Sequence, residues 1–196
     1  TMGLLPQIGI RNLKDTGNTS FGRMSEAFKK NYYEEFSEIL GTLYNATSIC
    51  CWVPFNEGWG QSDATKVTEW VKEYDSTRPV DSASGWHDQG CGDFCSIHSY
   101  FFPFHVRKDR YDRAWLLSEF GGYSIPDSRH GRMQKEYGYR KFSDLKEWNQ
   151  AVFRLYEEKI LPEVPKGLAG CIYTQLADVE DECNGLVSED RKVIKI

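Results

Sequence analysis

Two carboxylates stand at the ends of two apolar runs, and that placement is where this sequence can do chemistry. The first run lies within Ser48 to Gln61, SICCWVPFNEGWGQ. There Ile49, Cys50, Cys51, Trp52, Val53, Pro54 and Phe55 give way to Asn56, Glu57, Gly58, Trp59, Gly60 and Gln61. It is too short and too rich in β-formers for a helix, so it reads as a strand buried on both faces. The second run, Ala114 to Phe120 (AWLLSEF), carries Glu119 at its end and is followed by Gly121 and Gly122. In a parallel α/β barrel the carboxyl ends of the strands form the active face. Two carboxylates on two strand ends are what glycoside hydrolysis requires. One protonates the leaving oxygen, and the other attacks the sugar or activates water. The expectation is therefore a glycosidase built on Glu57 and Glu119.

Other chemistries are less well served. The six cysteines offer no zinc pattern: Cys91 and Cys95 lack the two-residue spacing and histidine partners of such a site. Cys50 and Cys51 are adjacent in a strand and point to opposite faces. All six are expected to be free thiols, most of them buried as small hydrophobes. His87, His105 and His130 show no ligand spacing, so no metal is expected, and the proposed chemistry needs no cofactor. The acidic loop from Asp178 through Val179, Glu180 and Asp181 to Glu182 reads first as solvated or paired with arginines, and a bound cation is the alternative it leaves open. A net charge of −5 without a basic stripe disfavours nucleic acid. The mean hydropathy of −0.58 and the absence of any apolar run near 18–20 residues disfavour a membrane span. No signal peptide is visible, and compartment stays open.

The elements that must position the pair follow from periodicity. A helix is predicted over about Arg23 to Tyr44, with Phe28, Tyr32, Phe36, Ile39, Leu40 and Leu43 inward. Another follows over about Asp63 to Tyr74, capped by Ser62, with Val67, Trp70, Val71 and Tyr74 inward. Val80 to Ala83 and Phe94 to Tyr100 read as strands, and residues 121–142 as a long loop on the active face. A third helix spans about Asp144 to Ile160, capped by Ser143 and stopped by Pro162 and Pro165. Leu168 to Gln175 is the last strand. An N-terminal strand over Met2 to Ile10 would need Pro6 at an edge or bend. This alternation predicts an α/β fold with a parallel sheet and outer helices. Two strands lie between those of Glu57 and Glu119. In a flat sheet the carboxylates would stand roughly 14 Å apart, so the chemistry demands closure or strong curvature.

In this arrangement the residues resemble the catalytic barrel of glycoside hydrolase family 2, the family of β-galactosidases, β-glucuronidases and β-mannosidases. Trp52-Val53-Pro54-Phe55-Asn56-Glu57 is similar to the end of that family's fourth strand, whose Asn-Glu pair carries the general acid/base. Ser118-Glu119-Phe120-Gly121-Gly122 is similar to the seventh strand, whose glutamate is the nucleophile, and His98-Ser99-Tyr100 to the sixth. Tyr173-Thr174-Gln175, the acidic loop, Asn184-Gly185-Leu186 and Asp190-Arg191 resemble a tail in a subset of members. The resemblance implies Glu57 as acid/base and Glu119 as nucleophile of a retaining enzyme, and Asn56 as a contact to the sugar 2-hydroxyl. It also implies that Tyr100 orients Glu119, although packing explains Tyr100 about as well. His98 reads as a sugar contact or a hydrogen-bonded structural histidine. Trp59 and Trp86 read as sugar-stacking rings or as core and rim packing.

The implied architecture is a partial (β/α)8 TIM barrel, about strands three to eight, because a complete barrel takes about 250 residues and this chain has 196. Residues 1–196 are thus expected to be the C-terminal part of one barrel domain, with the first two strands, their arginine and upstream β-sandwich domains outside it. The last strand carries Tyr173-Thr174-Gln175 where many members place a substrate-contacting tryptophan. The expected partner is a carbohydrate substrate, and open barrel edges offer a route to self-association. Two rival readings remain. One is an inactive carbohydrate-binding or structural remnant. The other is a fragment active only with its missing N-terminal half.

Overall fold

The computed structural model describes residues 2–4, 12–16, 25–101, 103–127, 131 and 135–196. Within these the protein is a mixed α/β fold with three α-helices and a small sheet of three strands. The chain divides into two compact units, Thr1–Ser96 with Asp109–Ala114 and Ile97–Lys108 with Trp115–Ile196.

In the first unit, helix α1 (Glu26–Leu43) begins at Ser25, whose Oγ accepts the Phe28 N–H at 3.2 Å. Its inward stripe is narrower than the sequence suggests. Leu40 is buried and Tyr32 and Phe36 pack against the core, while Phe28, Ile39 and Leu43 are exposed. Helix α2 (Ala64–Tyr74) adds Ala64, Val67 and Val71 to the same core beside Trp52, Phe55 and Val80. Ser62 is not its cap. Asp63 precedes the helix in a left-handed conformation (φ 49°) without a side-chain cap bond, and its carboxylate lies 3.3 Å from Lys29 Nζ. The capping acceptor is instead Asp15, whose Oδ2 accepts from the Ala64 N–H at 3.1 Å and from Gln61 Nε2 at 2.9 Å.

The run ending at Glu57 is extended but meets its neighbour at isolated parallel bridges, Trp52 with Val80 and Asn56 with Ser84. It is not buried on both faces. Trp52 and Phe55 are buried, whereas Val53 is 47% exposed and Cys50 is also exposed. Arg78 fastens this run to both helices. Its guanidinium donates to Ile49 O at 2.8 Å, to Tyr44 O at 2.8 Å and to Asp75 Oδ2 at 2.6 Å. Tyr44 and Ala46 carbonyls past the end of α1 thereby gain a cationic partner. Met2–Leu4 forms a 3-10 turn instead of the start of a strand, and the rest of that predicted strand lies outside the described residues.

The three-stranded sheet is made of β1 (Phe94–Ser99), β2 (Ala114–Gly121) and β5 (Leu168–Thr174), in the order β1-β2-β5, and the second unit holds β5, the end of β1 from Ile97 and β2 from Trp115. Strands β2 and β5 pair in parallel, with Trp115 opposite Leu168 and Gly121 opposite Thr174. Helix α3 (Leu145–Leu155) lays Trp148 and Val152 into a core with Phe104, Leu117, Phe120 and Tyr173. Asp144, not Ser143, caps α3, accepting the Glu147 N–H at 2.8 Å. The prolines do not end the helical path. It continues as a π turn (Tyr156–Ile160) and a 3-10 helix (Leu161–Lys166) with Pro162 in its first turn, where a missing N–H is tolerated. The path stops at Gly167, whose N–H reaches Val164 O at 3.0 Å.

The predicted loop 121–142 contains a short parallel pair in its described part, β3 (Tyr123–Ser124) with β4 (Arg140–Lys141). All six cysteines are free, but Cys183 alone is fully buried; Cys51, Cys91, Cys95 and Cys171 are half-buried. The C-terminus is tied in by a buried ion pair. Lys195 Nζ lies 2.7 Å from Asp178 Oδ1 and donates to Ile125 O and Cys183 O. Asp178, the first residue of the acidic loop, is therefore a partner of lysine. His130 lies outside the described residues.

Candidate active site

The two predicted carboxylates fall in different units. In the first unit the Glu57 backbone N–H donates to Ser84 O at 2.9 Å, completing the parallel pairing that ends the strand-like run. The chain then turns sharply. Glu57 itself has φ 54°, followed by Gly58 at 76° and Gly60 at 66°. A left-handed glutamate carries backbone strain of about 1–2 kcal/mol. Residues held this way cluster at functional positions. Gly58 cannot be replaced without movement, because a Cβ there would lie 2.6 Å from His87 Cδ2.

His87 is a strut of this turn. It is fully buried, receives the Leu13 N–H on Nδ1 at 3.2 Å, and so donates from Nε2 to Met2 O at 3.0 Å. Burial pushes its imidazole below the ordinary histidine range, which keeps it neutral. Trp59 is 48% exposed, with its ring against Gly3, where a Cβ would come within 2.4 Å. Trp59 N–H donates to Asn56 O at 3.0 Å, and Trp86 N–H to Ser84 O at 3.1 Å. Asn56, Glu57, Trp59 and Trp86 thus share one strand end, bound together through backbone bonds to Asn56 and Ser84.

In the second unit, Glu119, His98 and Tyr100 come together. Tyr100 donates its phenolic proton to Glu119 Oε2 at 2.6 Å. His98 is buried, with Nδ1 at 3.3 Å from that same oxygen. The Tyr100 oxygen also lies 2.9 Å from Thr174 Oγ1. A phenol has one proton, and it goes to the carboxylate; Thr174 is therefore the donor in the second bond. The result is a chain from Thr174 to Tyr100 to Glu119, joining the ends of β5, β1 and β2. Burial, then the adjacent Glu119, hold the Tyr100 hydroxyl far above the usual tyrosine range. It is a permanent donor in neutral solution.

Tyr139 is a site residue that the sequence does not single out, and Thr174 stands in the sequence only as the middle of Tyr173-Thr174-Gln175, with no role of its own. Tyr139 stacks on Tyr100 with ring centroids 3.7 Å apart and an 11° angle between planes. Phe101 meets Tyr139 edge-on at 5.1 Å. Gly122 explains why a Gly-Gly pair follows the strand. It has φ 61°, and a Cβ there would sit 2.5 Å from Tyr139 Cδ2. The only sequence signal for Tyr139 is its membership of a tyrosine-rich loop, and Thr174 is marked only by the strand-end motif Tyr173-Thr174-Gln175.

A half-buried carboxylate whose Oε2 is held by a phenol and an imidazole is fixed in orientation, which is what a carboxylate nucleophile would need. No protein-family model matches the chain, and no curated protein matches it.

Proposed function

We propose that this chain is the catalytic portion of a retaining β-glycosidase of the glycoside hydrolase family 2 type, its strands part of a (β/α)8 barrel. The observation that carries the reading is the convergence of Tyr100 and His98 on Oε2 of Glu119. Both contacts fall on one oxygen and favour Oε1 as the attacking atom. In the proposed first step Oε1 bonds to the anomeric carbon and the glycosidic bond breaks. Glu57 gives its proton to the departing oxygen. In the second step Glu57 takes a proton from water as that water displaces Glu119, restoring both groups. Asn56 binds the 2-hydroxyl, where hydrogen bonds strengthen as positive charge develops on the ring.

The strained turn at Glu57 and Gly58 supports a functional role for that carboxylate. The two exposed apolar residues at the sheet's β5 end, Ile172 and Leu176, favour association, either with a second copy or with further barrel strands.

Hydrolysis of aryl β-glycosides, with intact-mass detection of a 2-deoxy-2-fluoroglycosyl adduct, tests this. The full chain is expected to acquire one adduct on Glu119, and Glu119→Gln none. Glu57→Gln should cut turnover about 10²–10⁴-fold on substrates with poor leaving groups and much less on those with good ones. An adduct elsewhere, or turnover unchanged in Glu119→Gln, refutes the reading. Turnover appearing only when upstream strands are supplied identifies the chain as half of a split barrel.

A further inference from the structure

Beside the Glu57 turn, within the first unit, lies a buried polar cluster whose hydrogen bonds do not close. Asp15 and Gln61 are 1% and 2% exposed. Gln61 Nε2 uses both its hydrogens, on Asp15 Oδ2 and on His87 O, each at 2.9 Å. Asp15 Oδ2 also takes the Ala64 N–H at the start of α2, at 3.1 Å. That leaves Asp15 Oδ1 and Gln61 Oε1 buried with no donor. Acceptors left in this way are rare and costly.

The neighbouring donors are already used. Gln89 Nε2 gives its hydrogens to Leu13 O and His87 O, and its Oε1 accepts the Asp15 N–H at 3.3 Å. His87 has one ring proton, which goes to Met2 O. Among the described residues no lysine or arginine is paired with Asp15. The charged group facing it is Asp63, which is held by Lys29 at 3.3 Å and by Lys66 at 3.9 Å; His87 is neutral. The α2 terminus favours negative charge on Asp15 through one N–H. Burial, the largest influence, and Asp63 act the other way and hold the carboxyl above the ordinary aspartate range.

One species supplies the missing donor and leaves no buried charge. A protonated carboxyl still accepts on Oδ2 and donates from Oδ1. The oxygen that lacks a donor, Gln61 Oε1, belongs to the same amide that already binds Oδ2. We propose that a proton held between Asp15 Oδ1 and Gln61 Oε1 locks the Glu57 turn to the start of α2, and that its loss as pH rises releases the turn. Gln61 closes that turn, since its N–H reaches Gly58 O at 3.4 Å, and Gly58 rests against His87. Asp15 is thus a positioning residue for Glu57, acting through Gln61. The lock does not rest on the glycosidase reading, because it requires a protonation state and no turnover.

The test is a pH titration of the isotope-labelled full chain, read on the Asp15 side-chain carboxyl carbon, assigned through its bonded Cβ protons, and on backbone amides. The carboxyl is expected to stay protonated at neutral pH and to titrate above it. The amides of Gly58, Gln61 and Ala64 should shift with the same midpoint. Asp15→Asn puts a fixed donor in place of the proton. A group raised on folding stabilises fully below its unfolded value, about 3.9 for aspartate, and that contribution is lost as pH climbs toward the folded value. The folding constant of Asp15→Asn relative to the parent chain should therefore rise about tenfold per pH unit between about pH 5 and 7. The proposal is overturned if the carboxyl titrates near its unfolded value, as it would with water at the two oxygens, or if that ratio stays flat above about pH 5. It is overturned equally if the amides of the turn do not follow Asp15. Saturable shifts of those amides with sodium, potassium or calcium chloride would assign the oxygens to a cation and overturn it too. None of these readouts uses adduct formation at Glu119, so the two readings fail separately.

Discussion

Replacing Tyr100 with phenylalanine removes one oxygen and leaves the ring that stacks on Tyr139 at 3.7 Å. What is lost is the 2.6 Å hydrogen bond to Glu119 Oε2 and the acceptor that Thr174 uses at 2.9 Å. A hydrogen bond to a charged group contributes about 1.5–3 kcal/mol. If that energy holds Glu119 in its attacking orientation, glycosyl-enzyme formation should slow by about 10- to 150-fold, at about 1.4 kcal/mol per factor of ten. On the proposed reading, in which the phenol positions the nucleophile rather than the sugar, the loss should fall on kcat and on the rate of adduct formation more than on KM. Folding stability should drop by about 1.5–3 kcal/mol, a shift of about 3–12 °C in Tm for a chain of this size.

Thr174→Val sharpens the test. It removes a neutral donor to the phenol, contributing about 0.5–1.5 kcal/mol, so adduct formation should slow by about 2- to 12-fold. Because Thr174 acts through Tyr100, the same change in the Tyr100→Phe background should have no further effect. A double-mutant cycle on adduct-formation rates reads this coupling directly. Additive effects, or a Tyr100→Phe rate within twofold of the parent, would refute the relay from Thr174 through Tyr100 to Glu119.

Three further outcomes concern the scaffold. Lys195→Met leaves Asp178 buried without its 2.7 Å partner and should cost about 3–5 kcal/mol, seen as a Tm drop of about 6–20 °C. Adding Asp178→Leu should recover much of the loss. Gly122→Ala forces a left-handed alanine (φ 61°) against Tyr139 at 2.5 Å. The backbone alone costs about 1–2 kcal/mol, so Tm should fall by at least about 2–4 °C and the Tyr100–Tyr139 stack should be disturbed. Resistance to urea unfolding should weaken on the alkaline side. Burial raises the Tyr32, Tyr100 and Tyr173 phenols and lifts the Cys51 and Cys183 thiols to about 11. Groups raised on folding stabilise fully below their unfolded values, about 8.5 for thiols and about 10 for phenols. That stability is lost as pH climbs toward the folded values. A midpoint that stayed flat from pH 8 to 11 would contradict those burials.

The parts of this protein that are legible in its sequence are those where one residue type has one job. Ser118-Glu119-Phe120-Gly121-Gly122 predicts a strand bearing a carboxylate and then a bend, and β2 with its glycine pair obeys that pattern because only glycine clears Tyr139. Helix positions are legible from apolar spacing, but their caps are not. Asp15 caps α2 from nearly fifty residues away, and a tertiary contact of that kind leaves no local pattern. The prolines mislead for a related reason. Pro162 looks like a stop, yet in the first turn of a 3-10 helix its missing N–H has no partner to lose.

Thr174 shows the deeper limit. A hydroxyl at a strand end means nothing by itself; it matters here because parallel pairing sets Thr174 opposite Gly121, two residues past Glu119. The candidate nucleophile is recognisable from its own strand, whereas the relay that orients it is written across three. A variant such as Thr174→Val therefore probes the sheet's register as much as the chemistry. A slipped register would silence Thr174 while leaving every residue of the Glu119 strand unchanged.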